Sequence, residues 1–222
     1  MKLIDDNSRA LHWWNRNYFY VVTLAVVIVN IALYGALGGS WQHAYGDSHP
    51  AWYGKLNYGN FVRVFFNSFS HANWQHVLLN MLCFLICGLY LERKMGSLPF
   101  LGLVFVLTFF SAIASTTLDL SLNWRGFSGA NFALYGYIIV DYPFTFRKRT
   151  RTLFNIIAGA VMLGLIYFAA CFNGGTAHVC FEWYPADFLT NAGHYSGFAA
   201  GVIIGLTVHV VRVIAEKGSK KE

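Results

Sequence analysis

The chain of 222 residues is 56% hydrophobic and 18% aromatic but only 12% charged, with a mean hydropathy of +0.46. A soluble domain carries about 25% charged residues, so the deficit argues against an ordinary soluble domain and for burial in lipid. The net charge of +6 and pI near 9.2 do not indicate a nucleic-acid partner: the charges cluster in short runs between apolar segments, the pattern of cytoplasmic loops on a membrane protein. No internal repeat, low-complexity tract or linker divides the chain, and its length allows one domain.

Residues 1–17 are polar and mildly basic (Lys2, Arg9, Arg16), with Trp13 and Trp14 placed as interfacial anchors. Tyr18 to Leu37 is uncharged and long enough to cross a hydrocarbon core. The small residues Gly35-Ala36-Leu37-Gly38-Gly39 allow a cleavable signal peptide. The apolar run exceeds the usual length of such a peptide, which favours a retained first helix. Gly38 to Ser70 reads as a long aromatic connection suited to short helices lying in the interface. His71–Leu91 is a predicted second span, ending at Glu92-Arg93-Lys94, and Leu98–Thr116 a third. A fourth starts near Ser128 and ends around Pro143, before the basic run Arg147-Lys148-Arg149-Thr150-Arg151. Leu153–Ala170 is a fifth and Thr190–Val211 a sixth, closed by Arg212 and a basic tail. Cys83 and Cys87, four apart in an apolar run, read as helix-packing residues.

The fold class is therefore all-α, a polytopic bundle of six transmembrane helices. The organisation is an N-terminal segment at 1–17, a membrane domain at 18–214 and a basic tail at 215–222. An even helix number puts both termini on one side. That side holds three Lys and Arg in the N-terminal segment, two after the second span, four after the fourth and four in the tail. The other has only Lys55, Arg63 and Arg125. By the positive-inside rule both termini are cytoplasmic, as for a multi-pass protein of the cell membrane.

In this topology the second, fourth and sixth helices run from outside to inside. His76 precedes Arg93 by 17 residues, Ser128 precedes Arg147 by 19, and His194 precedes Arg212 by 18. At ~1.5 Å per residue these separations are ~25–29 Å, which sets three polar side chains at one level below the outer face. Asn80 is one turn deeper than His76 on the same face. A single Ser or His in a membrane helix commonly serves as interhelical hydrogen-bond glue. Four such residues at matched depth, in the sequence Arg-Gly-Phe-Ser-Gly-Ala-Asn-Phe-Ala-Leu-Tyr-Gly-Tyr (125–137) and its counterparts, suggest a site facing the bundle interior.

The chemistry open to them is acyl transfer. A serine hydroxyl becomes nucleophilic when a base within hydrogen-bond reach takes its proton, and His194 is the candidate base for Ser128. Asp141 lies 13 residues beyond Ser128, and Asp119 and Asp187 fall in outer loops, so a Ser–His dyad is favoured over a triad. Asn80, His76 and the Ser128 backbone N–H, free at a helix N-terminus, can supply donors to an oxyanion. Gly193, Gly197, Gly201 and Gly205 recur every four residues, stripping one face of the sixth helix for close approach to a neighbour.

His71-Ala72-Asn73-Trp74-Gln75-His76-Val77-Leu78-Leu79-Asn80-Met81 resembles the second-helix motif of rhomboid intramembrane serine proteases. Gly126-Phe127-Ser128-Gly129 is similar to their GxSG nucleophile motif, and His194-Tyr195-Ser196-Gly197, continuing to Gly201, to their last-helix histidine motif. The three occur in the family's order and cover roughly residues 58 to 210. The resemblance implies a six-helix core opening outward that cuts peptide bonds in or near transmembrane segments of other proteins. It implies Ser128 as nucleophile, His194 as general base, and His76 and Asn80 at the oxyanion site. Two positions depart from the pattern: Val62-Arg63 replaces Trp-Arg, and Phe132 stands where a tyrosine often stacks on the catalytic histidine.

The expected partners are transmembrane protein substrates and the bilayer, with no nucleic acid, no cofactor and no metal; the sequence gives no oligomeric state. The alternative from the same superfamily is a catalytically inactive, derlin-like protein that binds membrane clients; such proteins typically lack the serine or the histidine. A transporter would place ionisable residues along a path through the membrane, which the polar cluster here does not do. Residues 171–190 fall over the mouth of the expected site and could gate it. Cys171 and Cys180 there are compatible with a disulfide or with two free thiols. His178 and Glu182 nearby fit no standard metal-ligand spacing.

Overall fold

A computed structural model describes residues 20–45, 66, 68–71, 73–118, 126–148 and 192–218. Five helices form among them: α1 (Val21–Tyr45), α2 (Trp74–Met95), α3 (Ser97–Leu118), α4 (Ser128–Lys148) and α5 (Ala192–Gly218). They correspond to the first four and the last of the predicted spans. The predicted fifth span, the loop at 171–190 with Cys171 and Cys180, and residues 1–17 lie outside the described residues.

Several boundaries differ from the sequence reading, each for a local reason. α1 continues to Tyr45, so the predicted aromatic connection opens as helix. α2 begins at Trp74 rather than His71 because Asn73 is its N-cap: extended at φ −161°, it accepts the His76 N–H on Oδ1 at 2.8 Å. Gly96, at φ 86°, stops that helix, with its N–H donating to the Glu92 carbonyl at 2.8 Å. α4 runs through Pro143 to Lys148 instead of ending there; a proline removes one N–H from the ladder, a loss that helices in a packed bundle accommodate.

Glu92 is not the interfacial loop charge its neighbours suggest. It is 3% exposed, and its carboxylate accepts the Val22 and Thr23 N–H groups at 3.0 and 2.8 Å. It also accepts the Thr23 and Ser97 hydroxyls, both at 2.6 Å. The first N–H groups of α1 have no partner in their own helix and carry the positive end of its dipole. A carboxylate from α2 satisfies both needs and ties α1, α2 and the start of α3 together. Gly88, one turn before Glu92, gives Thr23 the space to reach it.

The first four helices alternate in direction. α1 and α2 are antiparallel, joined by Thr23 against Gly88 at one end and by an edge-on contact of Tyr34 and Trp74 (4.8 Å) towards the other. α2 and α4 are parallel: Asn131 meets Asn80 and Asp141 meets Tyr90, each pair 51 residues apart. α4 and α5 are also parallel. Gly129 faces Gly197, Ala133 faces Gly201 and Val140 faces Gly205. The core between them holds Phe84, Phe100, Phe127, Leu107, Leu134 and Ile138. Phe84 stacks on Phe100 and meets Phe127 edge-on.

The outside of this bundle is apolar. Ile28, Leu82, Phe105, Ile203 and Ile214 project from α1, α2, α3 and α5 with half or more of their surface exposed. Trp74–Met95 and Gly193–Ala215 are long and apolar enough to cross a membrane, at mean hydropathies of 1.6 and 2.1. Cys83 and Cys87 are buried free thiols, as helix-packing residues should be.

Candidate active site

Ser128 is the first residue of α4 and is buried. The turn that delivers it is fixed on both sides. Gly126, at φ +100°, holds a left-handed conformation that a side chain would strain. Phe127 is wedged between Phe69 and Phe84, with ring centroids at 5.6 and 5.1 Å, and its carbonyl accepts the Asn131 N–H to start the helix.

His194 lies in the first turn of α5. Its Nε2 and the Ser128 hydroxyl are 2.7 Å apart, a hydrogen bond between the starts of two helices. Gly197 makes this reach possible: a methyl group there would overlap the Gly129 carbonyl oxygen. Ser111 of α3 occupies the same junction and donates to the Gly193 carbonyl at 3.2 Å, holding the entry to α5. The Phe132 ring stacks on the His194 imidazole at 4.5 Å and 10°. Phe132 therefore stacks on the histidine through its ring alone.

His76 and Asn80 reach the same place from α2. A methyl group on Gly126 would stand 2.7 and 2.9 Å from His76 Cε1 and Nε2, and 3.3 Å from Asn80 Nδ2. Both side chains thus converge on the backbone two residues before Ser128. The Asn80 side chain is 1% exposed, and its Nδ2 has no hydrogen-bond acceptor among the described residues. A buried amide that keeps a donor unpaired costs free energy unless a ligand uses it.

The two buried carboxylates among the described residues are engaged elsewhere. Glu92 caps α1. Asp141 forms an ion pair with Lys94, accepts the Tyr90 hydroxyl at 3.2 Å and lies 3.8 Å from Arg212 Nη1. This cluster joins α2, α4 and α5 at the end opposite Ser128 and His194. No group of three or more His, Cys, Asp or Glu side chains among the described residues could hold a metal ion.

Sequence reading missed Asn73, Ser111 and Asn131. Asn73, directly before an apolar helical run, carried an N-cap signal. Ser111 and Asn131 have no local signature, because their roles depend on which helices meet.

A family model for the rhomboid domain matches residues 58–211, a stretch that contains His76, Asn80, Ser128 and His194. The chain belongs to the rhomboid family. It is 29% identical over 166 residues to Rhomboid-like protease 1 of Toxoplasma gondii, covering 73% of this chain and 51% of that protein. It is 26% identical over 187 residues to Rhomboid-like protein 11, chloroplastic, of Arabidopsis thaliana (81% and 62%). It is 25% identical over 152 residues to Rhomboid protease GlpG of Salmonella paratyphi A (67% and 48%). The chain spans about half to three-fifths of the length of these relatives. Rhomboid membership makes it an integral membrane protein and accounts for the lipid-like exterior of the bundle and its all-helical make-up.

Proposed function

We propose that this rhomboid is an intramembrane serine endopeptidase that cleaves transmembrane segments of other membrane proteins near the outer face, using a Ser128–His194 dyad. The observation that carries this reading is the 2.7 Å hydrogen bond between Ser128 Oγ and His194 Nε2. The names of two relatives, a rhomboid-like protease and a rhomboid protease, agree with it.

In this mechanism His194 Nε2 takes the hydroxyl proton as Ser128 Oγ attacks the scissile carbonyl. The negative charge moves to the carbonyl oxygen, beside Gly126 and Ser128. There the Asn80 amide, the His76 ring N–H and the Ser128 backbone N–H stabilise it. The imidazolium returns its proton to the leaving amine, whose departure leaves an acyl-serine. Water, deprotonated by His194, attacks the ester, and collapse of the second tetrahedral species frees the acid and restores the hydroxyl. Phe132 holds the imidazole plane, the orienting task that a carboxylate performs in a triad.

The reading is tested by incubating the purified protein in detergent or liposomes with a single-span test protein. Wild type should release two fragments, and Ser128→Ala neither. A wild-type chain that binds the test protein without cutting it would favour a client-binding role.

A further inference from the structure

We infer that Asn131, three residues after Ser128 on α4, is a positioning residue that orients the Asn80 amide towards the oxyanion site; this rests on the oxyanion role proposed above for Asn80.

Asn131 is 1% exposed at the contact of α2 and α4. Its Nδ2 donates twice, to the Asn80 carbonyl oxygen at 3.0 Å and to the Asn80 side-chain Oδ1 at 3.2 Å. The second bond decides which way the Asn80 amide faces. An amide has an acceptor end and a donor end of nearly equal shape, and by itself the α2 backbone leaves either end free to face Ser128. With Oδ1 held by Asn131, the NH2 end must face Gly126, where its nitrogen lies within 3.3 Å of a methyl group built on that residue. If the amide were reversed, Asn80 Nδ2 would confront the Asn131 NH2, and the carbonyl end would face the developing oxyanion. Two donors would clash in one place and two acceptors in the other.

Packing does not explain the asparagine. Its own Oδ1 is buried with no partner among the described residues, a defect that leucine at this position would not introduce. The bond to the Asn80 main chain adds a brace between α2 and α4, but a main-chain brace alone would not constrain the side-chain amide.

The test is steady-state cleavage of a single-span substrate by the reconstituted full chain, comparing wild type, Asn131→Leu, Asn80→Ala and the double variant. Removing one oxyanion donor typically costs about 10²–10³ in kcat, and a misdirected donor should cost about tenfold or more. Asn131→Leu should therefore lower kcat about tenfold or more with little change in KM. The double variant should be no slower than Asn80→Ala, because the two residues act as a unit. A normal kcat in Asn131→Leu alongside an impaired Asn80→Ala would overturn the positioning role and leave the oxyanion reading intact. An equal loss from Asn131→Leu in the Asn80→Ala background would show that it acts through another contact and would also overturn the role. A normal kcat in Asn80→Ala would overturn both. Should Asn131→Leu fail to fold, the wild-type crystal structure with a phosphonate on Ser128 decides the matter. Asn131 Nδ2 should then remain on Asn80 Oδ1 while Asn80 Nδ2 donates to the phosphoryl oxygen, and an Asn131 bonded only to the main chain would refute the inference.

Discussion

Gly197 of α5 rests against the carbonyl oxygen of Gly129 on α4, and this contact sets the reach from His194 to Ser128. Gly197 is three residues after the histidine and Gly129 one after the serine, so separating these backbones separates the dyad. A misplacement of about 1 Å can cost 10²-fold in rate, and overpacking a tight contact typically costs about 1–3 kcal/mol. Gly197→Val should therefore lower both kcat and Tm, with the rate falling about 10²-fold even at temperatures where the variant remains folded. Wild-type turnover in a folded Gly197→Val protein would show that the close approach is dispensable.

The donors from α2 should matter to rate more than to binding. His76→Ala and Asn80→Ala should each reduce kcat by about 10²–10³ with a smaller effect on KM. Gly126→Ala should be at least as damaging, since its methyl group would stand between those two side chains in a strained backbone. Michaelis–Menten analysis of the three variants checks this; a raised KM at normal kcat would reduce His76 and Asn80 to substrate contacts.

Phe132 orients His194 through its ring alone. Aromatic stacking contributes about 0.5–1.5 kcal/mol beyond burial, so Phe132→Leu should lower kcat by up to about tenfold. Phe132→Tyr, which keeps the ring, should stay near wild type. Equal losses in both variants would point to packing in the pocket rather than to stacking on the imidazole.

Glu92 should govern stability and not chemistry. In Glu92→Ala four donors from α1 and α3 lose their acceptor, and each buried donor left unpaired costs about 1–3 kcal/mol. A large fall in Tm is expected, with kcat per folded molecule unchanged. Glu92→Gln keeps one carbonyl acceptor and should fall less. Thermal unfolding in detergent with active-site titration separates these outcomes.

Much of this was legible in the chain itself. The five helices among the described residues fall on apolar runs readable in the chain. The level shared by Ser128 and His194 follows from a fixed rise per residue. The glycine stripe on α5 predicted a close neighbour, and α4 is that neighbour. Other features depend on three-dimensional partnership and have no local signal. Glu92 reads as the first of three loop charges, yet it is buried because the N-terminus of α1 happens to lie beside it. Asn131 reads as one polar residue in an apolar helix until Asn80 is placed opposite. Pro143 reads as a stop, but a single missing N–H does not outweigh the packing of a helix held on several sides.

The central claim is that Ser128 and His194 form the reacting pair, and cleavage of a single-span membrane substrate by the purified chain tests it most directly. Wild type should cut, whereas Ser128→Ala, His194→Ala and the double variant should all fall to the same residual rate, because neither residue functions without the other. Cleavage by Ser128→Ala at the wild-type rate would contradict the claim outright.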